Sequence, residues 1–466
     1  MISVPSRQLL SSGSKLFVFF FLTVLLSACG GTEKVTKRSG TRAKTGRSSF
    51  PPKKKKKTKV TKIDTVQWTE VKTTDKVDNT SNSGSNYGSS NKKDHYNISM
   101  LIPLESSAYN NTGSGNQRMI NYYAGAKIAL DLLEQEGANL TINTIDVGNG
   151  GSITTKLREA ESADVIIGPY KKDDLKKAAE FAKKEEITLV SPWIALGSKT
   201  IKDNPYFVQL RPTALDHYQM MVEHASQNYK ADEVVLLTQE GNSTDANRAK
   251  YIQKLARTYF RSNVRTPLAQ YDIPLDSLKQ SRMLFYDYLA LEEGEAPKTK
   301  VFLIPNMNSK DESFIYGAIR RLTAERGQNN VVVYGMPIVL DSEKLTFDNY
   351  NGTSAHVVTS NFVDNKDREV SQFKSKYYDT YGAIPSNEAY EGYDMMLYIG
   401  RALMEHGSSF QYKMNKDSRG LLQGTIALYP KYQSDDEDIT TGKKIDYFAN
   451  KNIDVVHFKN NRFQRK

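Results

Sequence analysis

The chain has 466 residues, with 64 lysines and arginines against 53 aspartates and glutamates, one cysteine and 38% hydrophobic residues. Its length allows two or three domains, and a single cysteine excludes both an intrachain disulfide framework and a cysteine-rich zinc site. Residues 1–95 hold 19 basic and 6 acidic residues, so the remainder, with 45 and 47, is close to neutral. The positive charge therefore belongs to an N-terminal segment, which argues against a nucleic-acid-binding fold, because that needs its positive field on the docking surface itself.

Residues 1–29 read as an export signal. Arg7 and Lys15 precede an apolar run from Leu16 to Leu26, too short for a bilayer-spanning helix, which takes about 20 residues, but suited to a signal-peptide core. The run ends Leu26-Ser27-Ala28-Cys29-Gly30, which resembles the lipobox of bacterial lipoproteins. The resemblance implies that Cys29 is lipidated and becomes the mature N-terminus; the alternative is a soluble secreted protein. Acyl chains each contribute about 0.8 kcal/mol per buried CH₂, enough together for stable anchoring.

Residues 30–95 read as a disordered tether. Six of the seven residues from Lys53 to Lys59 are lysine, and Asn79–Lys93 is rich in Ser, Asn and Gly, a composition that buries too little apolar surface to offset ordering entropy. A flexible chain of this length spans about 45 Å. The lysine run is read as a solvated spacer, with attraction to anionic headgroups or cell-wall polymer as the alternative. The island Val60–Val71 is β-branched and carries Trp68; it is an incidental apolar stretch or a strand that adds to a partner sheet.

From Tyr96 onward strands and helices alternate. Ile98–Leu104 is a buried strand, and a helix over Asn116–Glu136 presents Met119, Tyr123, Ala126, Leu130 and Leu133 at 4-3-4-3 spacing, with Gly137 as its stop. Strands over Leu140–Asp146, Ala163–Ile167 and Ile187–Val190 alternate with helices over Ser152–Ser162 and Asp173–Lys184. A second block has helices over Asp216–Asn228, Ser243–Phe260 and Lys310–Arg326, with strands over Val234–Thr238, Lys300–Ile304 and Val331–Tyr334. Such alternation predicts an α/β fold with parallel sheets covered on both faces, in two lobes.

The order and spacing of these segments resemble the type 1 periplasmic binding proteins of the Leu/Ile/Val-binding, receptor-ligand-region kind, over roughly residues 96–430. The matching residues are Leu101-Ile102-Pro103-Leu104, Tyr123-Ala124-Gly125-Ala126 with Ala129-Leu130, Asp146, Ile166-Ile167-Gly168-Pro169 and Leu189-Val190-Ser191-Pro192. Later come Phe373, Tyr377, Tyr381-Gly382, Pro385, Ala389 and Glu391-Gly392-Tyr393-Asp394. The resemblance implies two doubly wound parallel-sheet lobes joined by three crossovers, near Arg211-Pro212, Ala355–Ser360 and Thr425–Tyr429. Lobe 1 is expected over about 96–212 and 358–425, and lobe 2 over about 213–357 and 426–466. A ligand cleft lies between them, where strand ends and helix N-termini expose backbone N–H groups.

No catalytic constellation is present in the sequence: there is no G-x-S-x-G, H-E-x-x-H or G-x-x-x-x-G-K-[ST]. Gly113-Ser114-Gly115 lacks the nucleophile-elbow context, and His217 and His224 lack a third metal ligand at local spacing and read as a solvated pair. Asp435–Asp438 lacks calcium-loop spacing and reads as a solvated loop. Glu391 and Asp394 read as a solvated or crossover-facing edge. The chain is expected to be no enzyme and to need no cofactor and no metal.

In amino-acid-binding members of the family, the loop after the third strand offers a serine hydroxyl to the ligand carboxylate, and the loop after Ser-Pro offers a threonine. Here Lys172 stands where the serine is expected and Ala195 where the threonine is expected, which disfavours a free α-amino acid in the usual pose. Tyr170, Lys171, Lys172 and Trp193 suit a sugar face, a peptide or an anionic cell-wall fragment, unless Trp193 packs the hinge and the lysines are merely exposed. On the second lobe Asn242, Asn306 and Met336 are candidates by strand-end position. Two readings stand: a solute-binding lipoprotein serving an ABC transporter permease or receptor, and a non-catalytic module contacting penicillin-binding proteins, since the Gly-Pro-x-Lys loop also resembles lipoprotein activators of those synthases. Either would face the periplasm on a bacterial membrane, the outer one favoured over the inner.

Overall fold

Every central strand of this chain is apolar on both faces, and that dictates where the helices go. A computed structural model describes residues 92–108, 115–197, 200–280, 282–340, 342–413, 416–432 and 444–465; the signal segment, Cys29, nearly all of the tether and the acidic run 435–438 lie outside them. The first sheet is built from β1 (Tyr96–Ile102), β2 (Leu140–Asp146), β3 (Val165–Ile167), β4 (Thr188–Ser191), β5 (Phe207–Gln209), β11 (Lys416–Asp417), β12 (Ile426–Tyr432) and β13 (Ile445–Asn450). Its order is β11-β12-β13-β5-β4-β3-β1-β2. β2 through β13 run parallel, and β12 and β11 turn antiparallel at the edge. Alternate residues feed opposite cores. Ile98, Met100, Val165, Ile167 and Val208 face one cluster; Leu101, Ile166, Leu189 and Phe207 face the other, as buried parallel strands require.

The first cluster is covered by α1 (Gln117–Gln135), α9 (Arg368–Tyr381) and α10 (Asn387–His406), and the opposite one by α2 (Ile153–Glu159) and α3 (Lys172–Glu185). α1 opens at Asn116, whose side chain accepts from the Met119 backbone N–H, and α9 ends at Gly382 in the left-handed region. Just before β1, Lys93 pairs with Asp164 at 2.5 Å, and Asp164 in turn accepts from the Asn97 N–H at 2.8 Å.

The second sheet has the order β15-β14-β10-β9-β8-β6-β7. Its strands are β6 (Val234–Gln239), β7 (Ala269–Ile273), β8 (Thr299–Leu303), β9 (Asn330–Gly335), β10 (His356–Thr359), β14 (Asp454–Lys459) and β15 (Arg462–Arg465). α4 (Ala214–Asn228) and α5 (Ser243–Tyr259) cover one face, and α6 (Tyr286–Leu289), α7 (Glu312–Glu325) and α8 (Phe347–Gly352) cover the other. α4 carries a complete capping box between Thr213 and Asp216. The expected α/β architecture of two lobes joined by three crossings is present. The first crossing is at Arg211-Pro212 and the second follows β10 at Ser360.

The third crossing differs from expectation. Residues 426–432 form β12 and 445–450 form β13, both in the first sheet; Leu428 pairs with Asn450 and Phe448 with Val208. Residues 426–450 therefore belong with the first lobe, and the chain changes lobe between Asn450 and Asp454. Leu428, Phe448 and Ala427 are buried there, and that apolar surface fixes the strands to the first sheet. The two helical histidines also differ from the solvated pair expected. His217 is buried with its Nδ1 2.8 Å from the Thr213 carbonyl, and His224 lies 2.7 Å from the Tyr334 hydroxyl.

Candidate functional site

At the carboxyl ends of β3 and β4 three aromatic rings step outward from the core. Gly168, at φ +85°, has no room for a side chain: a Cβ there would lie 3.0 Å from the Trp193 ring. The ring packs across that bare backbone. Trp193 is 7% exposed and stands between Tyr122 of α1, fully buried at a centroid distance of 4.9 Å, and Tyr170, 38% exposed at 5.8 Å. Such tilted and edge-on pairs each add about 0.5–1.5 kcal/mol beyond area burial. Trp193 is thus part of the hydrophobic core, and Tyr170 is the member presented to solvent. The Trp193 indole N–H and the Tyr122 hydroxyl have no protein hydrogen-bond partner.

Lys172 is the first residue of α3, with an exposed side chain; Lys171 before it provides no side-chain cap. Ala195 is half-buried in the loop after β4. The Ser191 hydroxyl in that loop donates to the Ile194 carbonyl at 2.8 Å, and Gln209 accepts from the Leu196 N–H at 3.0 Å. On the second lobe Asn242 caps α5, accepting from the Thr244 and Asp245 N–H groups at 3.0 and 3.3 Å. Asn306 is wholly buried: its amide donates to both Asp245 oxygens at 3.1 Å and to Asp311 at 3.2 Å. Asp245 also pairs with Arg248, whose Nε donates to the Tyr218 hydroxyl at 3.0 Å. Met336 is buried in the core under β9. Asn306 and Met336 therefore serve the interior of the second lobe, while Asn242, Tyr170 and Lys172 reach solvent.

The site that strand-end reasoning missed lies at the crossings. A cavity of about 80 Å³ is lined by Tyr122 and Glu391 from the helix pair, Arg211 from the first crossing, Asn361 from the second, and Gln423 and Asp394. α1 and α10 meet there because neither carries a side chain at the contact: Gly125 faces the Ala389 backbone and Gly392 the Tyr122 backbone. Asp394 accepts from the Leu422 and Gln423 N–H groups at 2.7 and 2.8 Å. Burial pushes its carboxyl up to about 7 against the pull of those two donors. Glu391 accepts from the Asn361 amide at 3.3 Å; burial raises it too, and Arg211 opposes the rise. Arg118 pairs with Glu388 at 2.7 Å, and both act electrostatically on Glu391.

The surrounding connections are fixed by further polar bonds. Asn450 donates to the Leu210 carbonyl at 3.0 Å and accepts from the Ala427 N–H at 2.9 Å. Arg465 donates to the Phe362 and Gln423 carbonyls at 2.7 and 2.6 Å. Gln423 itself is 8% exposed, and its side-chain amide nitrogen has no protein partner. The expected crossover-facing edge at Glu391 and Asp394 is present, with Asp394 buried rather than solvated. Among the described residues no group of three His, Cys, Asp or Glu side chains is arranged to hold a metal ion. No helix of the described residues is long and apolar enough to cross a membrane.

No protein-family model matches this sequence, and no curated protein matches it. Solved structures do. A candidate branched-chain amino acid ABC transporter protein from Rhodospirillum rubrum is similar at 16% identity and a TM-score of 0.53, over 80% of this chain and 100% of that one. The C-domain of LpoA from Haemophilus influenzae, a regulator of PBP1A, is similar at 10% identity and a TM-score of 0.50, over 79% of this chain and 99% of that one. The chain thus has the two-lobed fold of the type 1 periplasmic binding proteins, as its segments led us to expect.

Proposed function

We propose that this chain is an exported, lipid-anchored, non-catalytic binding protein that takes a small ligand between its lobes and presents it to a transporter or receptor. The observation that carries the reading is the polar cavity at the crossings, reached by groups from both lobes' connections and flanked by the Tyr122–Trp193–Tyr170 ladder. A site on the hinge senses lobe closure directly, because closing the lobes changes the angle at every connection that lines it. The likeness to a Rhodospirillum rubrum ABC transporter protein supports solute capture. A second reading, a module that contacts a penicillin-binding protein, draws on the likeness to the LpoA C-domain and on Lys172 and Ala195 standing where hydroxyl donors are expected.

A thermal-shift panel of amino acids, peptides, sugars and muropeptides separates the two. Ligand at a hundredfold excess over Kd adds about 2.7 kcal/mol to stability, a melting shift of a few degrees for lobes of this size. A shift with any class supports solute capture, and no shift with any of them favours the interaction module. The anchor is tested by Cys29→Ser, which should leave the protein uncleaved or released from membranes; unchanged membrane-bound mature protein would refute it. Limited trypsin digestion should trim the lysine-rich tether and stop near Lys93, and a resistant fragment retaining Lys53–Lys59 would show that segment to be packed.

A further inference from the structure

We infer that the cavity at the crossings binds a neutral, hydroxyl-rich group, a sugar ring or polyol, held by Tyr122, Glu391, Gln423 and Arg211. This rests on the binding-protein reading above and names its ligand class. Two buried polar groups lining one cavity lack protein partners: the Tyr122 hydroxyl and the Gln423 side-chain amide nitrogen. Buried polar groups without partners are costly and rare, so a pair of them lining one cavity marks where a ligand's own polar atoms belong.

The set of groups selects the chemistry. Gln423 Nε2 and the Arg211 guanidinium only donate, Glu391 offers carboxyl oxygens beyond its single bond from Asn361, and the Tyr122 hydroxyl does both. Both Asp394 oxygens are already engaged by Leu422 and Gln423. A carboxylate or phosphate would satisfy the donors but would set acceptor oxygens against the Glu391 carboxyl oxygens, leaving those without a further donor. An ammonium would suit Glu391, yet it would meet Arg211 and leave the Gln423 N–H groups without an acceptor. Hydroxyl groups donate and accept at once, so a polyol satisfies every member of the set without adding charge. The ligand would also join side chains of the first crossing (Arg211), the second (Asn361, through Glu391) and the Leu422–Gln423 segment before β12, so its binding would stiffen the hinge.

The test is calorimetric titration of the folded chain with N-acetylglucosamine, glucose and myo-inositol, and with leucine, glutamate and spermidine as charged comparators. At least one neutral polyol is expected to bind, with affinity reduced at least tenfold by Tyr122→Phe and by Gln423→Leu, two substitutions that keep shape and are checked for intact fold by circular dichroism. Val264→Ala, exposed on the second lobe and outside the cavity lining, should change that affinity less than twofold. Polyol binding indifferent to both cavity substitutions, binding of the charged comparators alone, or no binding by the three polyols would overturn the inference. Binding of a charged comparator without a polyol would overturn it while leaving the binding-protein reading intact, so the two fail separately.

Discussion

Replacing Gly392 by alanine sets two effects of opposite sign against each other, and the structure decides between them. Gly392 lies inside α10, where alanine is favoured over glycine by about 1 kcal/mol in helix propensity alone. A Cβ added there would stand 2.8 Å from the Tyr122 carbonyl carbon and nearer still to its oxygen. That atom is backbone, so no rotamer change relieves the clash; α1 and α10 must separate along a seam that also holds Ala389 against Gly125. Overpacking of this kind costs about 1–3 kcal/mol, occasionally more, and a backbone-to-backbone clash belongs at the upper end. The net expectation is a loss of about 2 kcal/mol. The same separation would move Tyr122 away from Glu391 and open the cavity. Gly400→Ala is the comparison, since its Cβ would meet only the Leu133 side chain, which can rotate away. Urea unfolding followed by circular dichroism and by Trp193 fluorescence measures both. If Gly392→Ala is as stable as the parent, α1 and α10 do not meet as described.

Two further outcomes can be stated. Asp394 keeps its proton to about pH 7 when folded and to about 3.8 when unfolded. Its contribution to stability is therefore complete below about pH 4 and is lost as pH rises through 7, by up to about 4 kcal/mol. The unfolding free energy of the parent relative to Asp394→Asn should fall across that window in solution measurements, and a difference that rises with pH would show that Arg465 and the two N–H donors outweigh burial. Asp245→Ala should cost about 3–5 kcal/mol, because it strands the buried Arg248 guanidinium with Asp311 only at 3.9 Å; a loss under about 1 kcal/mol in urea unfolding would refute the role assigned to that network.

The parallel strands were legible because apolar runs of four to seven residues between helical periods have few other readings. The helix interiors were not fully so. The 4-3-4-3 stripe on α1 selects Tyr123 and Leu130, which are only half-buried, while Tyr122, Gly125 and Ala129 are buried, because α10 covers a second side that a single-stripe reading leaves to solvent. Asn306 and Met336 were candidates because they stand at strand ends, but their side chains turn inward, to Asp245 and to the core, away from any ligand. The cavity was illegible for a different reason: Tyr122, Arg211, Glu391 and Gln423 are brought together only by the crossings, and no local spacing links residues so far apart. β12 went unassigned because its antiparallel place next to the edge strand leaves only Ala427 and Leu428 fully buried among its seven residues.

The return of β13 to the first sheet and of β14 to the second has a consequence for how the protein is made. β5 finds its neighbour β13 only after more than 230 further residues have been added, and β10 finds β14 later still. Neither half can be cut out as a continuous peptide with its sheet complete, and a nascent chain lacking its last fifty residues offers two open sheet edges. Such non-local pairing makes folding slow. Under the export reading proposed above that delay is useful, because the chain stays threadable until β13 and β14 have been synthesised.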